Sequence, residues 1–528
     1  MRRIGRLTLI VFEIALLTAL ILTARCANYQ DVFVAGNVYF VDADCYARMT
    51  RAQMVSQNPG LIIRRHAFEN FPQGTMPHTT ALLDYLIVAL SLLLSPFTAH
   101  ALDLAGAFVS PLLAILGGWF LWWWSQRMKF RYRWVMLILY AISPILVHGT
   151  ELGRPDHQSL LILLVAIATC AGWSLQTVQG VNMASAWWLT SAAAWALAIW
   201  VSVYEPLVLF MIMTATAFVM NPRAVFGRDR RAGWILFGAI IAVAFAIERR
   251  VPSFAILHST GQLKAWGSTI GELAHVSPMN PVWLNWCGYL LLVTPVLFWL
   301  SIRTSSNGGR GGRALPIYVL LAATYLLTTW QARWGYFFVL IFALALPTLL
   351  EPIKSGVAVW IAFVLSTFSI LRDWDERLWP NEGQLDKRME KQVQSVEIRD
   401  LAVSLRSSEV HPFLAPWWLS PSIAYWSGQP GVAGSSHESL EGIDESARFF
   451  LSENLHEERE ILEKRHVAWV FAYDSDRVVQ NSAAILKEPP PPQPLGRVLY
   501  RTPGQAPPFL TFSAQNSTCK LYRVRTER

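Results

Sequence analysis

Apolar residues gather in twelve long runs, at 7–23, 80–94, 101–124, 134–150, 159–177, 185–203, 206–220, 232–247, 287–302, 314–330, 335–350 and 355–371. Each run is near the ~20 residues that cross a ~30 Å hydrocarbon core as a helix, or slightly short of it. Beyond residue 371 the long runs stop and a shorter, mixed pattern begins. Pro412–Trp418 and Val467–Tyr473 read as strands, whereas Ile443–Ser452 and Glu457–Arg465 read as helices. Pro489–Pro492 reads as a stiff polyproline linker. The fold expected is an α-helical polytopic membrane protein with a small C-terminal α/β domain, divided into residues 1–371 and 372–528.

One run decides the topology. The first run follows Arg2, Arg3 and Arg6, is long for a signal peptide and ends in Ala24-Arg25-Cys26, so it reads as a retained anchor with its N-terminus inside. The run 80–94 is short and carries Asp84. If it crosses, the clusters Arg127/Lys129/Arg131/Arg133, Arg223/Arg228/Arg230/Arg231 and Arg303/Arg310/Arg313 fall outside. If it lies along the outer interface, they fall inside with Arg2, Arg3, Arg6 and Lys354, which places 15 of the 25 basic residues of the membrane part on one face. The positive-inside bias selects the second arrangement. About eleven crossings result, with the first outer loop (about 25–100), the loops 151–158 and 249–286, and the C-terminal domain all extracytoplasmic. A cell membrane is implied, with a bacterial inner membrane as the setting.

Composition agrees. Of 528 residues, 53% are hydrophobic and only 15% charged, against roughly 25% charged in an ordinary soluble domain. Disorder, a fibrous protein and a single soluble domain are excluded. Residues 372–528 hold 19 Lys+Arg and 22 Asp+Glu, so residues 1–371 hold 25 and 14 and carry the positive charge. That charge marks sidedness, and no nucleic-acid partner is inferred from it. The five cysteines (Cys26, Cys45, Cys170, Cys287, Cys519) never pair as C-x-x-C, so neither a zinc site nor a disulfide framework follows; a Cys26–Cys45 bridge stays open. The glycines of Gly308–Gly312 follow no strand and read as a flexible inner loop rather than a phosphate loop.

The outer loops hold the candidate chemistry. The first contains Asp42-Ala43-Asp44-Cys45-Tyr46, a pair of carboxylates that either caps the helix beginning there or binds a divalent cation. The second reads Gly153-Arg154-Pro155-Asp156-His157-Gln158, and the third holds Thr269-Ile270-Gly271-Glu272. Each acid taken alone is an ordinary solvated side chain. Three successive outer loops that each present one are what a metal site at the membrane surface requires. Arg333, in Gln331-Ala332-Arg333-Trp334, stands at a span end, where an arginine either snorkels or binds an anion.

In this order the residues resemble the catalytic subunit of the oligosaccharyltransferases. Asp44-Cys45-Tyr46 looks like that family's first acidic motif and Asp156-His157-Gln158 like its second. Thr269-Ile270-Gly271-Glu272 matches its T-I-x-E motif. Arg333 falls where the family keeps an arginine for the lipid-linked pyrophosphate, and Trp417-Trp418 where it begins W-W-D-Y-G. The resemblance implies a divergent member with the C-type glycosyltransferase fold. It implies Mg²⁺ or Mn²⁺ held by Asp44, Asp156 and Glu272 with His157 and Gln158, Asp44 or Glu272 acting on the acceptor, Arg333 on the donor phosphate, and Trp417 and Trp418 on the acceptor. Two positions depart from the pattern. Gln158 replaces a charged or imidazole ligand, and Leu419 replaces the aspartate that helps hold the sequon hydroxyl.

The reaction implied is inverting transfer of a sugar or oligosaccharide from a polyprenyl (pyro)phosphate carrier to an acceptor protein or glycan. The runner-up is a single-sugar transferase acting on a lipid, glycan or hydroxyl acceptor. A reading of a different class is a transporter, since Glu13 and Glu205 lie within or beside spans and such residues often mark ion pathways.

Overall fold

The computed structural model describes residues 2–177, 181–249, 260–305 and 314–525. The glycine stretch Gly308–Gly312, with Arg310 and Arg313, lies outside the described residues. Two compact units are present. The first holds residues 1–29, 108–247 and 275–381; the second holds 30–107, 248–274 and 382–528.

All twelve apolar runs are helical. Six helices among the described residues are long and apolar enough to cross a membrane: Leu7–Arg25, Ala101–Arg127, His157–Leu175, Ala184–Val201, Arg228–Glu248 and Ala332–Leu350. The bent pair Gly356–Ser366 and Phe368–Leu378 makes a seventh candidate, and Arg133–Ile142, Tyr204–Met220, Leu290–Arg303 and Leu315–Trp330 are shorter apolar helices of the same unit. The chain is thus a polytopic helical membrane protein.

Within the first unit, Gly335–Leu350 is buried at every residue, as expected for a helix that is apolar all round. The first helix is its opposite. Leu7, Leu9, Val11, Phe12 and Leu16 are exposed, a broad apolar surface that suits lipid better than water. The polar residues of this helix fix its direction. Glu13 pairs with Arg133 at 2.5 Å and accepts the Trp122 indole N–H at 2.9 Å. At the far end the buried Arg25 donates to Thr150 Oγ1 at 3.2 Å and to the Tyr140 carbonyl at 2.9 Å, and Asn28 donates to the Leu152 carbonyl at 2.9 Å. The first helix and the broken helix Arg133–His148 therefore run parallel. The Arg127–Arg133 turn also meets residues 353–354, through Arg131 to the Lys354 carbonyl and Tyr132 to the Ile353 carbonyl, both at 2.9 Å. Glu13 is thus one half of an ion pair.

The second unit is built around a four-stranded sheet. Its strands are β3 (Phe413–Leu414), β4 (Trp469–Tyr473), β5 (Leu510–Gln515) and β6 (Cys519–Val524), in the order β3-β4-β6-β5, with β3 parallel to β4 and the other pairs antiparallel. A small hairpin, β1 (Phe33–Val34) and β2 (Asn37–Val38), lies in the first loop. The strand expected over Pro412–Trp418 is reduced to two residues because Pro412 and Pro416 bring no N–H to a ladder. The expected helices appear at Leu440–Leu451 and Leu455–Lys464. Helix Leu82–Leu94 buries Leu83, Asp84, Ile87 and Ser91 on one face and exposes Leu86, Leu92 and Leu93 on the other.

The first loop and the C-terminal segment fold together in this unit. Gly431 N–H donates to the Phe68 carbonyl at 2.9 Å, and Phe71 N–H to the Gly431 carbonyl at 3.1 Å. Arg465, fully buried, donates to Asn70 Oδ1 at 3.0 Å and to the Phe71 carbonyl at 3.1 Å, and it pairs with Glu445. Arg465→Met leaves Glu445 and these acceptors without their cation. It should destabilise the protein by about 3–5 kcal/mol, seen as a lower melting temperature of the detergent-purified chain.

Glu458 is buried, and its Oε2 meets no hydrogen-bond partner among the described residues. Burial, with Glu457 beside it, pushes its carboxyl up to about 7. A raised folded-state value means that the fold favours the protonated form. Stability is then highest below the unfolded carboxyl range and falls as pH rises toward 7. Glu458→Gln should therefore raise the melting temperature at pH 7–8, with no gain at pH 4. An equal gain at both would contradict a titrating Glu458.

Candidate active site

Asp156 stands at the N-terminus of helix His157–Thr177, where backbone N–H groups favour an anion. Its Oδ1 accepts the His157 N–H at 2.7 Å and lies 2.6 Å from His157 Nδ1. The loop reaches this point through Gly153, whose φ of +75° suits glycine. His157 is also in electrostatic contact with Glu205, which is fully buried, accepts from Ser202 Oγ at 3.3 Å and pairs with Arg333. The first unit thus sets Asp156 against His157 and Glu205 against Arg333, with His157 in electrostatic reach of Glu205, as one polar array. Arg154 extends the polar cluster toward His148 (3.3 Å), whose Nδ1 lies 2.8 Å from the Tyr336 hydroxyl. Gln158 is buried, and its Oε1 meets no partner among the described residues.

Arg25 and Asn28 mark the same end of the unit as the 150–156 loop, opposite the end marked by Arg133. Glu205, which lies within or beside a span and so reads from sequence as a candidate ion-pathway residue, has Arg333 as its partner.

In the second unit Asp42 caps helix Ala43–Gln57, accepting from Cys45 N–H at 3.0 Å. Capping is thus the role of the first carboxylate of the D-x-D pair. Asp44, in the first turn, is exposed and in electrostatic contact with Arg51. Asp44, Arg48 and Arg51 are spaced to share one helix face. Arg48 pairs with buried Asp84 at 2.8 Å, and burial beside Arg48 lowers the Arg51 guanidinium to about 10. Glu69, not singled out by any motif, is buried. Burial raises its carboxyl, although Arg51 and a 3.2 Å bond from Ser435 N–H oppose this.

Glu272 is half-buried in the single turn Gly271–Leu273. The turn before it is closed by Thr269 Oγ1 donating to the Trp266 carbonyl at 2.7 Å. Ile270 packs on a buried cluster of Trp266, Ala433, Ile443, Ala447 and Ile485, and so does Trp417. The T-I-G-E segment and the paired tryptophans therefore share one core. Trp417 lies edge-on to Trp266 at 5.7 Å and donates to Asn481 Oδ1 at 2.9 Å, while Arg477 lies over the Trp418 ring at 5.0 Å. The Trp266 and Trp418 indole N–H groups are buried without partners among the described residues. Ser420 is buried and donates to the Ala415 carbonyl at 3.2 Å, so it does not stand in for the missing aspartate at Leu419. Cys45 is a buried thiol and Cys26 a half-buried one.

No protein-family model and no curated protein matches the chain in sequence. Solved structures do match in fold. An Archaeoglobus fulgidus oligosaccharyltransferase tethered to an acceptor peptide with an NVT sequon is 14% identical, with a TM-score of 0.62 over 87% of this chain and 68% of that one. The same enzyme with zinc and sulfate is 13% identical, with a TM-score of 0.62 over 97% of this chain and 73% of that one. ArnT from Cupriavidus metallidurans bound to undecaprenyl phosphate is 13% identical, with a TM-score of 0.58 over 98% of both chains. The chain therefore has the C-type glycosyltransferase fold that these lipid-linked glycosyltransferases share, as a divergent member of it.

Proposed function

We propose that this chain transfers a sugar or oligosaccharide, with inversion, from a polyprenyl (pyro)phosphate carrier to an acceptor at the outer face of a cell membrane. The observation that carries this reading is the Asp156–His157–Glu205–Arg333 array, which stands at the membrane end opposite the Arg127–Arg133 cluster. A lipid-linked phosphate leaving group needs a cation at that level, and Arg333 is one, oriented by the buried Glu205. As the glycosidic bond breaks, negative charge grows on the phosphate, and a fixed guanidinium stabilises that charge more than it does the ground state. Asp44 or Glu272 would accept the acceptor's proton.

Oxygen ligands dominate the candidate set, which suits Mg²⁺ or Mn²⁺. The amide oxygen of Gln158, buried and unpartnered among the described residues, is of the type that hard cations take. Asp44, Asp156 and Glu272, with His157 and Gln158, would hold the ion, which when bound would supply further stabilisation of phosphate charge.

The parallel course of the first helix and Arg133–His148 supports the topology. It supports an N-terminus on the same face as Arg127–Arg133, with one crossing out and one back between them and Leu82–Leu94 along the interface. With that helix excluded, eleven spans remain, and residues 372–528 lie outside with the first loop. A cysteine at Lys129 should be labelled by impermeant reagents only from the cytoplasm, and one at Glu460 only from outside. Labelling of both from one side would contradict this arrangement.

One observation favours the single-sugar version of the reaction. Leu419 with buried Ser420 offers no oxygen to a sequon hydroxyl. The unpartnered indole N–H groups of Trp266 and Trp418 supply donors to an acceptor of either kind. The test is transfer of a radiolabelled sugar from a polyprenyl-phosphate donor to peptide and to glycolipid acceptors by the purified chain. Transfer to neither, across donors that the Cupriavidus enzyme or an oligosaccharyltransferase uses, would refute the reading.

A further inference from the structure

The second unit contains a cluster that plays no part in the reaction proposed above. His78, in the first loop, and His437 and Glu438, in the single turn His437–Ser439, each bring one ligand atom to a common point, all within 4.8 Å of one another. His78 Nδ1 lies 3.2 Å from Glu438 Oε1, and so does His437 Nε2. The two imidazole rings are 5.1 Å apart. A tetrahedral zinc ion with ~2.0–2.1 Å bonds holds its ligand atoms about 3.3–3.4 Å apart, so the side chains are already near the spacing the ion demands.

We propose that His78, His437 and Glu438 bind a divalent transition metal of the zinc type, with water in the fourth position. Two imidazoles and one carboxylate favour such an ion over Mg²⁺ or Ca²⁺, which take oxygen. His78 is exposed, so the ion can enter from solvent, while Glu438 is largely covered.

The position gives the ion a consequence. It would clip residue 78 to residues 437–438, more than three hundred positions away in the chain. The residues after His78 are gripped from the other side, where Arg51 donates to Thr79 Oγ1 at 3.4 Å and Arg48 to the Thr80 carbonyl at 3.3 Å. Those arginines share a helix face with Asp44. The metal would therefore brace the helix that carries the first acidic residue of the reaction, acting as a positioning element and not on the substrate.

The experiment uses the full-length chain in detergent, stripped with chelator and loaded with Zn²⁺ or Co²⁺ alone. Asp156→Asn serves as the background, so that the proposed Mg²⁺/Mn²⁺ site does not contribute. About one tightly held Zn²⁺ per chain is expected, with the intense visible absorption of four-coordinate Co²⁺ and a raised melting temperature. His78→Ala and His437→Gln, added singly, should each remove the tight ion and the absorption. Should either variant fail to fold, the Co²⁺ spectrum of the parent still decides. No tight ion, only the weak bands of six-coordinate Co²⁺, or equal binding by both variants would overturn the proposal and leave the cluster as an ion pair alone.

Discussion

Asp156→Asn should lower transfer by about 10³-fold, within the ~10²–10⁴ range for groups that stabilise charge or move protons in a transition state. The substitution keeps size and shape. Asparagine still accepts the His157 N–H and still ends the loop at the helix N-terminus, so melting temperature should stay unchanged. What disappears is the negative charge. Without it His157 loses its carboxylate partner, and the array that runs through Glu205 to Arg333 loses its outermost anion. The loss should fall on kcat more than on KM, since the charge that the array balances grows only as the phosphate departs. Asp44→Asn and Glu272→Gln should give losses of similar size. Full activity in Asp156→Asn, with the protein folded, would remove this residue from the site.

The second large effect concerns acceptor choice. Between paired peptides that differ only at the +2 position, this chain should show no strict preference for N-x-S/T over N-x-A. A site built to hydrogen-bond a hydroxyl rejects the analogue lacking it by orders of magnitude, because its own polar group is left unpaired. Here the group is absent. Leu419 cannot accept, Ser420 is buried and committed to the Ala415 carbonyl, and Pro421 fixes the start of the next helix. The tryptophans are held otherwise, Trp417 by Asn481 and Trp418 by Arg477. A preference above ~100-fold for Ser or Thr, equal to ~2.7 kcal/mol, would mean that another residue does the aspartate's work.

Much of the membrane part was legible because long apolar runs leave few alternatives to helices, and every run is helical. Charge asymmetry singles out 80–94 as the run expected not to cross, and its helix is buried on one side. Elements whose burial rests on polar contacts were harder to read. Arg465 stands in a run of charged residues, Glu463-Lys464-Arg465, that reads as solvated surface, yet it is among the most buried arginines, since its acceptors come from residues 70–73. Glu69 lacks a motif for the same reason. Asp42 and Asp44 look alike in sequence, and only the helix start separates a cap from an exposed acid. Glu13 and Glu205 were visible as acids in apolar surroundings, but their partners Arg133 and Arg333 lie more than a hundred residues away.

The most direct measurement is mass spectrometry of proteins and glycolipids from cells carrying the active chain, cells lacking it, and cells carrying Asp156→Asn. Loss of a glycan mass from a protein or lipid class in the second and third strains, with accumulation of a polyprenyl-linked sugar, is the result the proposed reaction predicts. Identical profiles in all three strains, with the chain present and folded in the first and third, would contradict it.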